Sequence, residues 1–207
     1  SPCPPLTLSP RLPRSLAPPL GRDAGTNPPG GEPIFDVAPR TFPRRVAFVP
    51  QGPRAPPDLI VEELVWRGRF PHRGLFGRRL GHDRAMVERA MALADVAELR
   101  GHALGTLSGG ERQRAFIALA LAQEPSLVLL DEPFNGINPV LIEILIEMIL
   151  QANRELGTGF ALISHELPHV SQLCHSVTVL TGGKVLMTGK PDDVRNDPEV
   201  ISAYLGR

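Results

Sequence analysis

The octet Leu107-Ser108-Gly109-Gly110-Glu111-Arg112-Gln113-Arg114 places two glycines where a loop turns into a helix. The first N–H groups of a helix have no partner inside it, and with no side chains in the way they form a seat for phosphate. Ser108 can add a hydroxyl donor, and it is equally suited to an ordinary N-cap. One helix further on comes Val128-Leu129-Leu130-Asp131-Glu132-Pro133, an apolar run ending in two adjacent carboxylates. In open α/β sheets, ligands bind beyond the carboxyl ends of strands. There one carboxylate can hold Mg²⁺, directly or through water, and the other can polarise an attacking water. An isolated Asp-Glu pair reads as two solvated acids, but its place one helix after the Ser-Gly-Gly string argues against coincidence.

The elements that position these residues begin at Arg45. Residues 45–49 (RVAFV) form a β-branched and aromatic run closed by Pro50, which predicts a strand. Residues 58–66 read as a short helix. Asp83 reads as the cap of a helix to about Ala94, and residues 110–123 as another helix stopped by Pro125. Residues 127–130 (LVLL) are wholly apolar, as in a strand buried on both faces. Residues 139–156 predict a long helix with proline at its start and Gly157 past its end. Residues 160–164 predict a strand and then a short helix, and 177–180 and 184–187 two strands of a hairpin around Thr181-Gly182-Gly183. Helices separate several strands, so the class is α/β with a mixed sheet.

The 207 residues suggest one domain, with room for a subdomain. Apolar residues make up 42% and charged residues 21%, which fits a folded globular chain. No apolar run reaches 18 residues, which excludes a membrane-spanning helix; residues 140–150 come nearest and are broken by Glu143 and Glu147. The formal net charge is zero, so nothing in it favours nucleic acid or an acidic lipid surface. Two cysteines, Cys3 and Cys174, cannot make a disulfide framework, so a reducing setting is the expectation. The chain opens on Ser1 without a targeting pattern, and is expected to be a fragment.

The strings together resemble the ATP-binding subunit of an ABC transporter, from about Asp23 to Arg207. The resemblance implies a P-loop NTPase-like ABC core with a helical subdomain at about 53–123, within a domain at 41–207, N-terminally truncated or altered. It implies ATP and Mg²⁺ as cofactors. Ser108, Gly109 and Gly110 match the signature motif, Asp131 ends the Walker B strand and supports Mg²⁺, and Glu132 is the catalytic glutamate. Gln51, after RVAFVP, matches the Q-loop glutamine that reaches Mg²⁺, and His165, after FALIS, the catalytic switch histidine. Gln113 in the signature helix and Asn138 at the D-loop position join the nucleotide-binding set. The family's D-loop usually ends in Asp where Asn138 stands. The resemblance also implies a second ATPase subunit as dimer partner and an integral-membrane permease. A solute-binding protein acts indirectly, no nucleic acid binds, and the place is peripheral, on the cytoplasmic face of the membrane.

No G-x-x-x-x-G-K-[ST] occurs in the 207 residues, and that Walker A loop is expected roughly 40 to 50 residues before Gln51. Residues 1–40 read as an irregular proline-rich segment, since 16 of the 23 prolines lie in the first 57 residues. Of residues 1–22, 18 are Pro, Leu, Arg or Ser, and no acid precedes Asp23. That bias is expected of an out-of-frame translation of a GC-rich gene, the alternative being a genuine linker. Residues 64–73 (LVWRGRFPHR) resemble the ATPases of iron-siderophore, haem and cobalamin importers, and 189–198 (GKPDDVRNDP) those of branched-chain amino acid importers. Solute import is therefore the favoured function. A catalytically defective remnant and a non-transport ABC protein are the alternatives. A zinc hydrolase is more distant: His165-Glu166-Leu167-Pro168-His169 spells H-E-x-x-H, but Pro168 stands between the ligands. His72, His82 and His102 are expected to be exposed loop residues, and Cys174 a buried apolar one.

Overall fold

The computed structural model describes residues 42–72 and 80–205, so the expectation for residues 1–40 lies outside the described residues. Helix α1 (Phe42–Arg45) leads into β1 (Val46–Val49), which joins β2 (Leu127–Asp131) and β3 (Gly159–Ile163) in a parallel sheet of order β1-β2-β3. Val49 lies beside Leu130, Leu130 beside Leu162, and Asp131 beside Ile163. β2 is thus the central strand, and Val128 and Leu130 on it are fully buried.

Between β1 and β2 the described chain is helical. α2 (Val61–Trp66) runs into a 3₁₀ turn (Arg67–His72), followed by α3 (Leu80–Leu93) and α4 (Gly109–Ala122). Val61, Val65, Val87, Met91 and Ile117 are fully buried where these helices meet. α5 (Pro139–Leu156) adds Ile142, Leu145 and Ile149 to the same core. Asn138 caps its start, Pro139 takes the first-turn place that needs no N–H, and Gly157 ends it at φ 65°. α6 (Leu167–Leu173) precedes a separate antiparallel pair, β4 (Val177–Thr181) and β5 (Lys184–Gly189). Their two-residue turn has Gly182 at φ 56° and Gly183 at φ 78°, the left-handed pair such a hairpin requires. α7 (Pro191–Asn196) and α8 (Pro198–Leu205) follow, and Val179, Val194 and Val200 form a small second core. Among the described residues the expected mixed sheet is therefore two sheets, one parallel and one antiparallel.

The helical region corrects three expectations. α3 begins at Leu80, so Asp83 is not its cap; it is buried in the first turn. Its carboxylate accepts a 2.8 Å bond from Arg69 Nε, and Arg69 is only 1% exposed. Arg69 Nη1 also donates to the Ala122 carbonyl and to Glu124, at 2.6 and 2.7 Å. His82 lies in α3, beside Glu124, and His72 Nε2 meets the Gln123 carbonyl at 2.8 Å. Neither is a free loop residue, because both serve the C-terminal end of α4. Gln123 completes the junction, its amide donating to the carbonyls of Pro43 and Val46 at the entry to β1.

Removing one partner of a buried ion pair leaves the other charged and unpaired. Arg69→Ala should therefore destabilise the fold by about 3–5 kcal/mol, read as a lower urea midpoint. Arg69→Met combined with Asp83→Leu should recover most of that loss. Equal loss in the single and the double variant would show that Asp83 tolerates an unpaired charge.

Candidate functional site

Parallel strands bring their carboxyl ends to one edge, and the sequence-predicted residues fall there. Asp131 is the last residue of β2 and half-buried. Gln51 lies two residues beyond Val49, as Glu132 lies two beyond Leu130, and Val49 and Leu130 are register partners. Gln51 is exposed.

Glu132 is held by the neighbouring strand. Its N–H donates to the Ile163 carbonyl at 2.8 Å, which carries the β2–β3 ladder one residue past Asp131. Its φ of 47° lies in the left-handed region, which costs a non-glycine residue about 1–2 kcal/mol. The conformation brings the carboxylate to His165, just past β3, with Glu132 Oε2 2.9 Å from His165 Nδ1. The Glu132 side chain is 20% exposed and the imidazole 66% exposed. The hydrogen bond that His165 donates to Glu132, and then the Glu132 charge, raise the His165 pKa above the ordinary histidine value.

Ser108, Gly109, Gly110 and Asn138 form a second group, at the starts of α4 and α5. Ser108 caps α4, and its Oγ accepts from the Glu111 N–H at 3.3 Å. Glu111 returns the contact: Oε2 accepts from Ser108 N at 2.8 Å and from Ser108 Oγ at 2.7 Å. These bonds hold the Glu111 carboxyl below its usual range. An anion seated on Ser108 must therefore displace the Glu111 carboxylate. Glu111 was passed over by sequence reasoning, although Ser108-x-x-Glu111 is a legible capping box. A Cβ on Gly109 would meet nothing within 4 Å, so its backbone is open to a ligand. A Cβ on Gly110 would come within 2.7 Å of Leu141 Cδ1 in the first turn of α5. Gly110 thus lets α4 and α5 close on each other. Asn138 caps α5, its Oδ1 accepting from Val140 N at 2.9 Å. Gln113 is half-buried one turn into α4. Arg112 Nη2 donates to the Pro53 carbonyl at 3.4 Å, tying the first turn of α4 to the loop that carries Gln51.

The H-E-x-x-H string does not form a two-histidine face. His165 lies outside α6 and pairs with Glu132, whereas His169 lies within it and pairs with Glu166 at 2.8 Å. The His169 ring packs on Phe134 with centroids 5.3 Å apart. Among the described residues no three His, Cys, Asp or Glu side chains converge as a metal site. Cys174 is half-buried, and burial pushes its thiol pKa up.

A parallel sheet whose central strand ends in paired carboxylates, with a Ser-Gly-Gly helix start nearby, defines an ATP-binding cassette. The chain belongs to the ABC transporter family, whose model matches residues 17–135. Residues 184–207 match the model of the branched-chain amino acid ATP-binding cassette transporter. Among curated relatives, the ferric enterobactin transport ATP-binding protein FepC of Escherichia coli (strain K12) is 37% identical over 79% of this chain and 60% of its own length. The iron(3+)-hydroxamate import ATP-binding protein FhuC of Bacillus subtilis (strain 168) is 34% identical over 83% of this chain and 63% of its own. The chain thus spans about three-fifths of the length of these relatives. The ADP conformation of an ATP-binding cassette of an ABC transporter superposes with a TM-score of 0.70 at 21% identity, covering 82% of this chain and 72% of that one, a likeness of fold.

The sign of the His165 shift can be checked. The charged pair with Glu132 is fully present below the ordinary histidine pKa and is lost as pH rises through the raised value. Proton NMR should show His165 titrating above the ordinary histidine midpoint of about 6.5, and Glu132→Gln should bring it back down. An unchanged midpoint in the variant would mean that Glu132 does not hold the imidazolium.

Proposed function

We propose that this chain is the ATP-hydrolysing subunit of a solute importer, working on a separate integral-membrane permease. The observation that carries the reading is the Glu132–His165 pair at the carboxyl end of the central strand, with Asp131 and Gln51 on the same edge. Mg²⁺ is commonly held by one or two carboxylates plus substrate phosphates. Asp131 and the Gln51 amide fit such a donor set. When bound, Mg²⁺ would neutralise charge developing on the phosphates. Glu132, pinned by Ile163, would orient and deprotonate an attacking water. His165 would present its ring to the γ-phosphate while Glu132 holds its Nδ1. The phosphate-anchoring half fits less well, since neither lysine, Lys184 nor Lys190, lies in a phosphate loop.

Ser108 to Gly110 would close over ATP held by a second subunit, which makes a dimer part of the reading. The open backbone at Gly109 supports this. The helical region would face the permease from the cytoplasmic side of the membrane, with a solute-binding protein acting indirectly. An iron-chelate cargo is favoured by the two curated relatives, named for ferric enterobactin and iron(3+)-hydroxamate transport.

Two experiments test this. In a form of this chain completed with a phosphate loop, assembled with the permease, Glu132→Gln should lower ATP turnover by about 10²- to 10⁴-fold with nucleotide binding retained; near-normal turnover would place the base elsewhere. By calorimetry, the 207 residues alone should bind Mg-ATP weakly or not at all, for want of the loop that anchors the β- and γ-phosphates. Micromolar affinity would show that other residues anchor them.

A further inference from the structure

We infer that Arg114 is a positioning residue for the Ser108–Gly110 turn: its Nε–H is a second dock for the Glu111 carboxylate, taken up when Glu111 leaves Ser108. The inference rests on the proposed reading of this turn as a phosphate seat. It adds what must happen inside the chain when that seat is filled.

Ser108 has two donors, its N–H and its Oγ–H, and both end on Glu111 Oε2, at 2.8 and 2.7 Å. A phosphate that takes those donors leaves the carboxylate without them. The bonds from Ser108 hold the Glu111 carboxyl below its usual range, and the charges of Arg114 and then His102 lower it further. Arg114 and His102 are therefore the two side chains placed to receive it.

Arg114 has the greater need. It is only 9% exposed, and among the described residues its Nε is the one buried side-chain nitrogen or oxygen without a hydrogen-bond partner. Its other contacts are long: Nη2 is 3.5 Å from the Asp95 carbonyl oxygen and 3.8 Å from Asp95 Oδ2, on a carboxylate turned to solvent. A buried donor left unmet carries the full desolvation penalty of its group. His102 is exposed, so water already satisfies it. Glu111 and Arg114 stand three residues apart in α4, which makes them neighbours on one face. Side chains of a helix lean towards its N-terminus, and this directs Arg114 back over the turn that holds Glu111.

The turn then has two arrangements. Without an anion, Glu111 caps Ser108 and Arg114 Nε stays unmet. With an anion on Ser108, Glu111 turns to Arg114, which pairs the second negative charge and satisfies the buried donor together.

Ser108→Pro removes both donors with no anion present. Ser108 has φ −62° and ψ 162°, and Leu107 before it has φ −81° and ψ 146°, values open to proline and to the residue preceding it. In the 207-residue chain carrying Ser108→Pro, NMR should show the Arg114 Nε–H moving downfield. Its exchange with water should slow by about tenfold, the worth of one charge-assisted hydrogen bond. The Glu111 carboxyl should keep its lowered midpoint in Ser108→Pro and return to the usual range when Arg114→Met is added. An Arg114 that serves packing alone predicts neither result. An Nε–H unchanged by Ser108→Pro would overturn the inference, and this reading does not depend on Arg114→Met folding. So would a Glu111 midpoint that rises as far in Ser108→Pro as in the double variant, or an Nε–H already slow to exchange in the unsubstituted chain. No nucleotide enters these measurements, so their failure strikes Arg114 alone. ATP turnover indifferent to Ser108→Pro, in a form completed with a phosphate loop, would instead strike the reading of the turn as a phosphate seat.

Discussion

The site depends on the pairing of β2 along both of its edges. A parallel ladder fixes which residues stand level, and here it sets the ends of β1, β2 and β3 at one height. The bond from Glu132 N to Ile163 O is the last link of that ladder. It holds Glu132 in a backbone conformation that an isolated chain would avoid. The cost is borne by the ladder behind it, and the result is a carboxylate aimed across the strand gap at His165. A one-residue slip of β3 would move Ile163 and His165 together, and the pair would be lost with the register.

α4 connects this edge to the rest of the molecule. Its first turn holds the Ser108–Glu111 capping box and touches Pro53 beyond Gln51. Its far end is gripped by Arg69, His72 and Gln123, and Gln123 holds the entry to β1. One rigid helix thus contacts both ends of the segment that carries Gln51. A displacement of the 3₁₀ turn at Arg67–His72 must be absorbed by α4 or passed to β1, because Arg69 is buried and offers little slack.

Much of this was legible in the residues. LVLLD, FALIS and the proline-to-glycine span of α5 each signal their element by local chemistry, and the structure places them within a residue or two. The hairpin at Gly182-Gly183 was legible for the same reason, since few residues other than glycine take φ above zero twice in succession. What was not legible depended on partners distant in sequence. Asp83 has the character of a cap, but its tertiary partner Arg69 draws it into the core and the helix starts earlier. The left-handed φ of Glu132 is set by the strand beside it. Glu111 was visible as half of a capping box, yet its consequence, a carboxylate on the atoms a phosphate would use, needed coordinates.

That carboxylate gives the Ser-Gly-Gly turn two competing states. With no anion, Glu111 supplies the negative charge that a helix start favours, and the cap is satisfied internally. An incoming phosphate offers more charge and more acceptors, but it must first break two bonds to Glu111 and place two anions at one helix end. Gly109 and Gly110 offer backbone N–H groups but no side-chain donor, so occupancy gains from a second set of donors that shares the load. On the reading proposed above, further strength would come from an opposing surface that presents the phosphate, and the turn would then respond to closure of two bodies rather than to binding by one.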